Sequence, residues 1–420
     1  MERTIMVPAR PPVPGEPVMV GDLEVIGANG YGYIEEPERD TGPLAVALRF
    51  CTAQGMQCFT LAVFFYEGAA YNAIFLGRVL PAEGRGDLVV PFLVLFNLVW
   101  GMSMWSYFQA HSSDPGCIPK RWQEFVLRVG ENLPIAPARM EWQPGKATFC
   151  TRCRVPRPER AHHCNICDMC VLRMDHHCPW INNCVGFKNY KFFLLLGTYA
   201  CLTSYVALLT SLPELLHCLG YVLQLQAYTL HFHLLPPQMG VAWEGRELQT
   251  SDVCVFLIFG ALAVIFAMLL TPMVLTHWPL AFRNLTTIES NYINMPNPFD
   301  QGGGRENLAQ VFGTYGLDWF FPVAPLRPLT DGISFTRADE RLGPDGMPDL
   351  PESLMDHEES DAELLWRFRY HVRGAPAGPS FGGAGGGGLV EEDVGPLTTI
   401  SRWLRGQPLR PGGPRRIISL

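Results

Sequence analysis

The chain has 420 residues and a net charge of −8, so its charge gives no support to nucleic acid as a partner. Only 17 % of residues are charged, against about 25 % in an ordinary soluble protein, while 48 % are hydrophobic. Together with 41 glycines and 36 prolines, this argues against an ordinary soluble enzyme and implies very apolar blocks between loose polar ones.

Residues 1–43 are proline-rich and acidic, carry no apolar signal-peptide core, and are expected to be disordered and cytosolic. A first membrane span is expected over residues 44–66, with Arg49 near its start reaching back to the interface. A longer frame running on to Leu76 would bury Glu67, so the shorter one is preferred. Residues 89–110 (VVPFLVLFNLVWGMSMWSYFQA) form a second span, residues 192–212 a third and residues 253–276 a fourth; none of these three contains a charge. About 20 apolar residues cross the hydrocarbon core. Buried helices of a large soluble protein are the alternative, but three such runs in a chain this poor in charge are hard to bury otherwise. Pro272 in the last run is tolerated, and can kink it, in a membrane helix.

Loop charge sets the expected orientation. Residues 111–191 carry twelve Lys/Arg, whereas residues 213–252 carry one, Arg246. The positive-inside rule then puts the 111–191 segment and both termini in the cytosol. The sequon at Asn284-Leu285-Thr286 should stay bare on that side.

Within residues 150–184 lie seven of the thirteen cysteines and four of the eleven histidines. Cytosolic thiols are kept reduced, so such density points to metal rather than disulfides. Cys150-x2-Cys153 precedes His163-Cys164-x2-Cys167-x2-Cys170, and His177 and Cys184 follow. Two closed zinc sites would consume eight of eleven candidate donors, leaving three; closed sites lack an open position and act as scaffolding. Spacing alone does not say which three remain. Asp175-His176-His177-Cys178 does bring a carboxylate, two imidazoles and a thiol into four residues, the components of an activated nucleophile. An imidazole held in the right tautomer would raise the reactive thiolate fraction.

Asp175-His176-His177-Cys178 in this frame, followed by Pro179-Trp180-Ile181-Asn182-Asn183-Cys184-Val185-Gly186, resembles the DHHC family of protein S-acyltransferases. Asp114-Pro115-Gly116, Thr286-Thr287-Ile288-Glu289 and Asn297-Pro298-Phe299-Asp300, with NLAQVFG and DWFFPV after it, resemble further family motifs. The resemblance covers about residues 44–322. It implies an α-helical integral membrane protein of four transmembrane helices, with a cytosolic cysteine-rich domain binding two zinc ions between spans 2 and 3. By the same resemblance Cys150, Cys153, His163 and Cys170 hold one zinc, and Cys164, Cys167, His177 and Cys184 the other. Cys178 becomes the nucleophile, His176 the base and Asp175 its orienting partner, with His162 a packing or hydrogen-bonding residue. Trp180 would stand near the mouth of an acyl cavity, Thr287 would contact the Asp175 region, and Asn297 would pack the C-terminal segment onto the spans.

The implied reaction moves a long-chain acyl group from acyl-CoA through a Cys178 acyl-enzyme to cysteines of membrane-associated proteins. An acyl chain gains about 0.8 kcal/mol per CH2 by leaving water, so the donor lies in the bilayer with its head outside. Cys178, fourteen residues before Phe192, is tethered close to that surface. Arg152, Arg157, Arg160, Lys188 and Lys191 are candidates for the CoA phosphates, though such cations are more often solvated. The membrane would be the endoplasmic reticulum, the Golgi or the plasma membrane. A membrane-anchored zinc scaffold would explain metal and spans but leave Asp175, His176 and Cys178 without a role; a metal transporter would need ionisable residues inside its spans. The expected organisation is 1–43, spans over 44–110, zinc domain 111–191, spans over 192–282, the aromatic segment 283–329 and a largely disordered tail 330–420.

In that tail, residues 331–363 are acidic and residues 382–388 nearly all glycine, a composition unable to bury a core. Residues 362–371 could form an amphipathic helix on the membrane or a partner. Ile418-Ser419-Leu420 resembles a PDZ ligand. Cys117 is read as inert or a secondary acylation site, and Cys51, Cys58, Cys201, Cys218 and Cys254 as small apolar packing residues.

Overall fold

The structure, a computed structural model, describes residues 18–20, 23–25, 43–136, 142–222, 249–292, 296–340 and 360–372. Arg246, the glycine run 382–388 and the C-terminal Ile418-Ser419-Leu420 lie outside the described residues. Ahead of the first span, β1 (Val18–Val20) and β2 (Leu23–Val25) pair antiparallel.

Four helices are long and apolar enough to cross a membrane. The first, α1 (Pro43–Ala69), does not stop at Tyr66. It runs on through wider turns at Ala70–Val79, where the Leu80 amide donates to the carbonyl of Phe75, and ends at Ala82. Glu67 therefore lies inside the helix, against the shorter frame. Tyr71, Phe75, Leu76 and Val79 beyond it are buried against Phe96, Ala207, Phe256 and Phe259 of the other three spans. Burying each such side chain contributes roughly 1.5–3 kcal/mol, which outweighs one carboxyl kept inside.

α2 (Val89–Ser112), α4 (Tyr190–Val222) and α5 (Thr250–Phe282) complete the bundle. α5 continues past both Pro272 and Pro279. Gly260 lets α4 and α5 close, for a Cβ there would come within 2.5 Å of Leu215. Asn72 and Asn97 exchange amide hydrogen bonds of 3.0 and 2.7 Å between α1 and α2. Such pairs join helices in a medium without water. At the end away from the cysteines, Arg78–Asp252 (2.6 Å) and Arg85–Glu214 tie the helix termini together.

The segment between α2 and α4 opens with α3 (Lys120–Val129), whose Trp122, Phe125, Val126 and Val129 recur at helical spacing and are all buried. Short strands follow: β3 (Ile135–Ala136), β4 (Ala147–Cys150), β5 (Val155–Arg157), β6 (His162–Cys164), β7 (Met169–Val171), β8 (His176–Cys178) and β9 (Asn183–Val185). β4–β5, β6–β7 and β8–β9 are three successive hairpins.

After α5 the chain returns to this domain. Asn297 donates to the Arg283 carbonyl at 2.5 Å and accepts the Phe299 amide at 3.1 Å, while Asn307 of α6 (Gly304–Phe312) donates to the Phe282 carbonyl. The composition argument against order after residue 330 fails for two stretches. Ile333, Phe335, Tyr370 and Val372 are buried. α7 (Asp361–Arg369) packs on the chain itself: Trp366 is buried edge-on against Trp122 and Phe125 of α3, with ring centroids at 5.6 and 5.3 Å. Trp366 Nε1 donates to Asp331, and Glu363 meets Arg121 and Arg128. α3 and α7 are each half of one core, and neither half could bury its aromatic face alone. Trp366→Ala is expected to cost about 3–5 kcal/mol locally. Limited proteolysis should then release the C-terminal segment while the three hairpins of residues 147–185 stay resistant.

Candidate active site

The three hairpins carry the donors in an interleaved order. In β6–β7, His163 sits opposite Cys170; in β8–β9, His177 sits opposite Cys184. Each cross-strand pair meets the Cys-x2-Cys knuckle of the hairpin before it. Cys150, Cys153, His163 and Cys170 thus converge in one group, and Cys164, Cys167, His177 and Cys184 in a second, with donor atoms within 4.8 Å of one another. The Cys153 amide points at Cys150 Sγ (3.4 Å) and the Cys167 amide at Cys164 Sγ (3.3 Å), the geometry of a knuckle.

Zinc bonds of about 2.3 Å to sulfur and 2.0–2.1 Å to nitrogen, arranged tetrahedrally, require donors about 3.6–3.8 Å apart. His163 Nδ1 lies 3.6, 3.2 and 3.8 Å from the sulfurs of Cys150, Cys153 and Cys170. His177 Nδ1 lies 3.8, 3.4 and 3.7 Å from those of Cys164, Cys167 and Cys184. Both groups fit zinc. A closed set of four donors leaves no position for water, so zinc bound there would hold the hairpins together and supply no chemistry.

Cys178 belongs to neither group. It ends β8, is buried, and faces an apolar cluster with Tyr107 of α2, Phe192 and Phe193 of α4 and Ala281 of α5. Two asparagines hold its hairpin to the end of α2. Asn183 donates to the carbonyls of Ala110 and Ser113, and Asn189 to those of Ala110 and Cys184. Asp114 caps the adjoining turn, accepting the amides of Gly116 and Cys117. Gly116 has φ +110°, a conformation side chains disfavour.

A chain of hydrogen bonds starts beside the thiol. His176, two residues before Cys178 on the same strand, bonds through Nδ1 to Asp175 Oδ2 at 2.6 Å. Asp175 is buried and takes the Thr287 hydroxyl (2.7 Å) and the Thr287 amide (2.9 Å). Burial would raise the Asp175 carboxyl, but its bonds to His176 and Thr287 hold it below the usual carboxylate range. Burial opposes charge on His176 as well, yet Asp175 and Cys178 outweigh it and raise its pKa to about 9. The imidazole therefore readily carries a proton. Thr287→Val removes the hydroxyl bonds to Asp175 and is expected to slow acyl transfer roughly 10-fold, read as initial rate at saturating donor.

The remaining expected residues divide. Trp180 is half-exposed beside Phe59 of α1 at 6.5 Å, and its carbonyl accepts the Tyr107 hydroxyl. Arg160 is buried in a bidentate pair with Glu289, and Lys191 bonds to Asp318; these two are structural ties rather than free cations. Lys188 is half-exposed and meets Asp114 at 3.3 Å. Arg157 bonds to Thr148 and lines a cavity. His162 meets the Tyr292 hydroxyl at 3.4 Å; burial first, and Arg157 second, lower its pKa to about 4. Asn284 is fully buried, which keeps its sequon inaccessible whichever side it faces. Sequence reasoning missed Glu289 as the partner of Arg160, and His277, which approaches Asp175 from α5. His277 is one residue past the apolar run that marked the fourth span.

The chain was compared with known proteins. The sequence profile of the family described as DHHC palmitoyltransferase matches residues 143–293. Palmitoyltransferase ZDHHC2 of Homo sapiens is 29 % identical over 327 residues, 68 % of this chain and 80 % of that protein. Palmitoyltransferase ZDHHC2 of Danio rerio is 31 % identical over 280 residues, 60 % of this chain and 68 % of that protein. Probable protein S-acyltransferase 14 of Arabidopsis thaliana is 31 % identical over 289 residues, 65 % of this chain and 87 % of that protein. Four spans, two Cys/His groups and these relatives agree: the chain belongs to the DHHC palmitoyltransferase family and is a protein S-palmitoyltransferase.

Proposed function

We propose that the chain transfers a long-chain acyl group from acyl-CoA to Cys178, and from Cys178 to a cysteine of a membrane-associated protein. One observation carries the proposal: Cys178 stands outside both donor groups, at the ends of three spans and two residues from His176, whose imidazole is bonded to Asp175 and through it to Thr287. In the first step the Cys178 thiolate adds to the thioester carbonyl. The C–S bond to CoA breaks, and the departing sulfur takes the proton held on His176. In the second step His176 takes the proton of the acceptor thiol, whose sulfur adds to the acyl-enzyme carbonyl. Cys178 then leaves as thiolate beside the protonated imidazole. Atoms and protons balance with no further reagent. The two-step route predicts ping-pong kinetics.

The apolar cluster around Cys178 suits the acyl chain. A cavity of about 280 Å³ lined by Trp142, Lys146, Arg157, His162 and Tyr292, in which Glu159 and Glu289 are engaged by backbone amides and by Arg160, suits an anionic, aromatic headgroup. Its wall includes Ile288, the neighbour of Thr287, so the cavity adjoins the catalytic chain. The distribution of loop cations supports a cytosolic site and cytosolic termini. The test is to add palmitoyl-CoA to the detergent-purified full chain and map the acyl adduct by mass spectrometry. A hydroxylamine-labile adduct on Cys178 that is chased off by an acceptor thiol is expected. An adduct confined to other cysteines would refute the proposal.

A further inference from the structure

The Asp175 carboxylate has a second imidazole beside it. His277 lies on the last turns of α5 with its ring almost buried, and its Nδ1 is 3.8 Å from Asp175 Oδ2, the same oxygen that accepts His176 Nδ1. That Nδ1 is shut off from solvent and has no hydrogen-bond partner. The two imidazoles lie 5.5 Å apart, and Phe193 packs edge-on to both, at 5.0 Å from His176 and 4.9 Å from His277. An imidazole nitrogen left unpaired in a buried site is costly, whereas an apolar side chain of similar size would pack against Phe193 without that cost. The ring is thus worse for packing alone than its apolar equivalent, and its Nδ1 faces the carboxylate that orients His176.

We infer that His277 is a positioning residue of the acyl transfer, a second imidazole on Asp175 that fixes the plane of the carboxylate and, through it, the direction of His176. Thr287 bonds to Asp175 from the loop after α5, and His277 faces the same carboxylate from α5 itself at 3.8 Å, so groups from two elements flank it. Phe193 sets the spacing of the two rings, which ties α4 into the same arrangement. A membrane helix thereby helps aim a group belonging to the zinc domain. This role presupposes the Cys178 acyl-enzyme proposed above.

The experiment compares full-length wild type, His277→Phe and His277→Asn for the rate of Cys178 acylation at varied palmitoyl-CoA. Asparagine keeps a donor near the place of Nδ1, while phenylalanine keeps the ring against Phe193. His277→Phe is expected to lower kcat roughly 10- to 100-fold with KM little changed, and His277→Asn to recover most of the rate. The same substitution is then made in an Asp175→Asn background, where His277→Phe should cost nothing further. Additive losses, a wild-type rate for His277→Phe, equal losses for both variants, or a change confined to KM would each overturn the inference. If His277→Phe fails to fold, seen as loss of bound zinc, the His277→Asn measurement decides: a rate near wild type supports the role and a loss beyond 10-fold opposes it. Absence of any adduct on wild-type Cys178 would instead remove the acyl-enzyme itself.

Discussion

Cys178→Ala is expected to abolish both formation of the hydroxylamine-labile adduct and transfer to an acceptor protein, while the purified variant still carries two zinc ions per chain. Removing the nucleophile of a catalytic chain typically costs on the order of 10⁴-fold or more in turnover. Metal retention follows from geometry: the eight donors of the two groups exclude Cys178, so its loss opens neither site. The apolar cluster around the thiol would lose one sulfur, a change that costs far less than a missing ligand. Cys117→Ala supplies the contrast. Its sulfur is exposed, lies 3.7 Å from Met169 and takes no place in either donor group, so this variant should acylate at the wild-type rate. Zinc content falling from two to one in Cys178→Ala would mean that the sulfur is a ligand and would leave the chain without its proposed nucleophile.

The donors and the thiol were legible because metal and nucleophilic chemistry demand particular residue types at particular spacings. Their partition into two groups was not legible from spacing; it came from the family resemblance, and the interleaved hairpins give its physical reason. Apolar length likewise revealed that spans exist, but not which face of each points inward. His277 illustrates the gap, since uncharged runs end where the pattern ends, and α5 continues to Phe282. Glu67 was left out for the opposite reason: a carboxyl argues locally against a span, while the residues beyond it decide globally. The tail misled through averaging. Trp366, Tyr370, Ile333 and Phe335 are sparse among acidic and glycine-rich sequence, yet they meet a ready-made apolar face on α3 and beside Phe299. Composition measures density of apolar residues, whereas burial depends on a partner some 200 residues away. Arg160 looked like a phosphate ligand for a similar reason, because its carboxylate partner is 129 residues downstream.

That partner carries a large stability effect that reaches the catalytic loop. Glu289 accepts Arg160 Nε at 2.7 Å and Nη2 at 2.9 Å, and also the Thr286 amide, while the Thr286 hydroxyl accepts the Glu289 amide in return. Arg160 lies over the edge-on pair Phe299 and Phe335, at 4.6 Å from each, and Arg173 lies close by, fully buried against Tyr190 and bonded to Asn284. Burial would raise the Glu289 carboxyl, but the Arg160 charge holds it below the usual range. Glu289→Ala would therefore leave two guanidinium groups in a dry site without their counter-charge, costing about 3–5 kcal/mol. The loop that carries Thr287 would loosen with it, so thermal stability and acylation should fall together. Replacing both partners removes the uncompensated charge: Arg160→Met with Glu289→Leu should be markedly more stable than Glu289→Ala, as apolar replacements of buried ion pairs often are. Differential scanning of the detergent-purified variants reads this as a Tm for the double variant well above that of Glu289→Ala. A double variant less stable than either single change would mean that Arg160 and Glu289 contribute independently, and that the zinc domain is joined to the spans by something other than this pair.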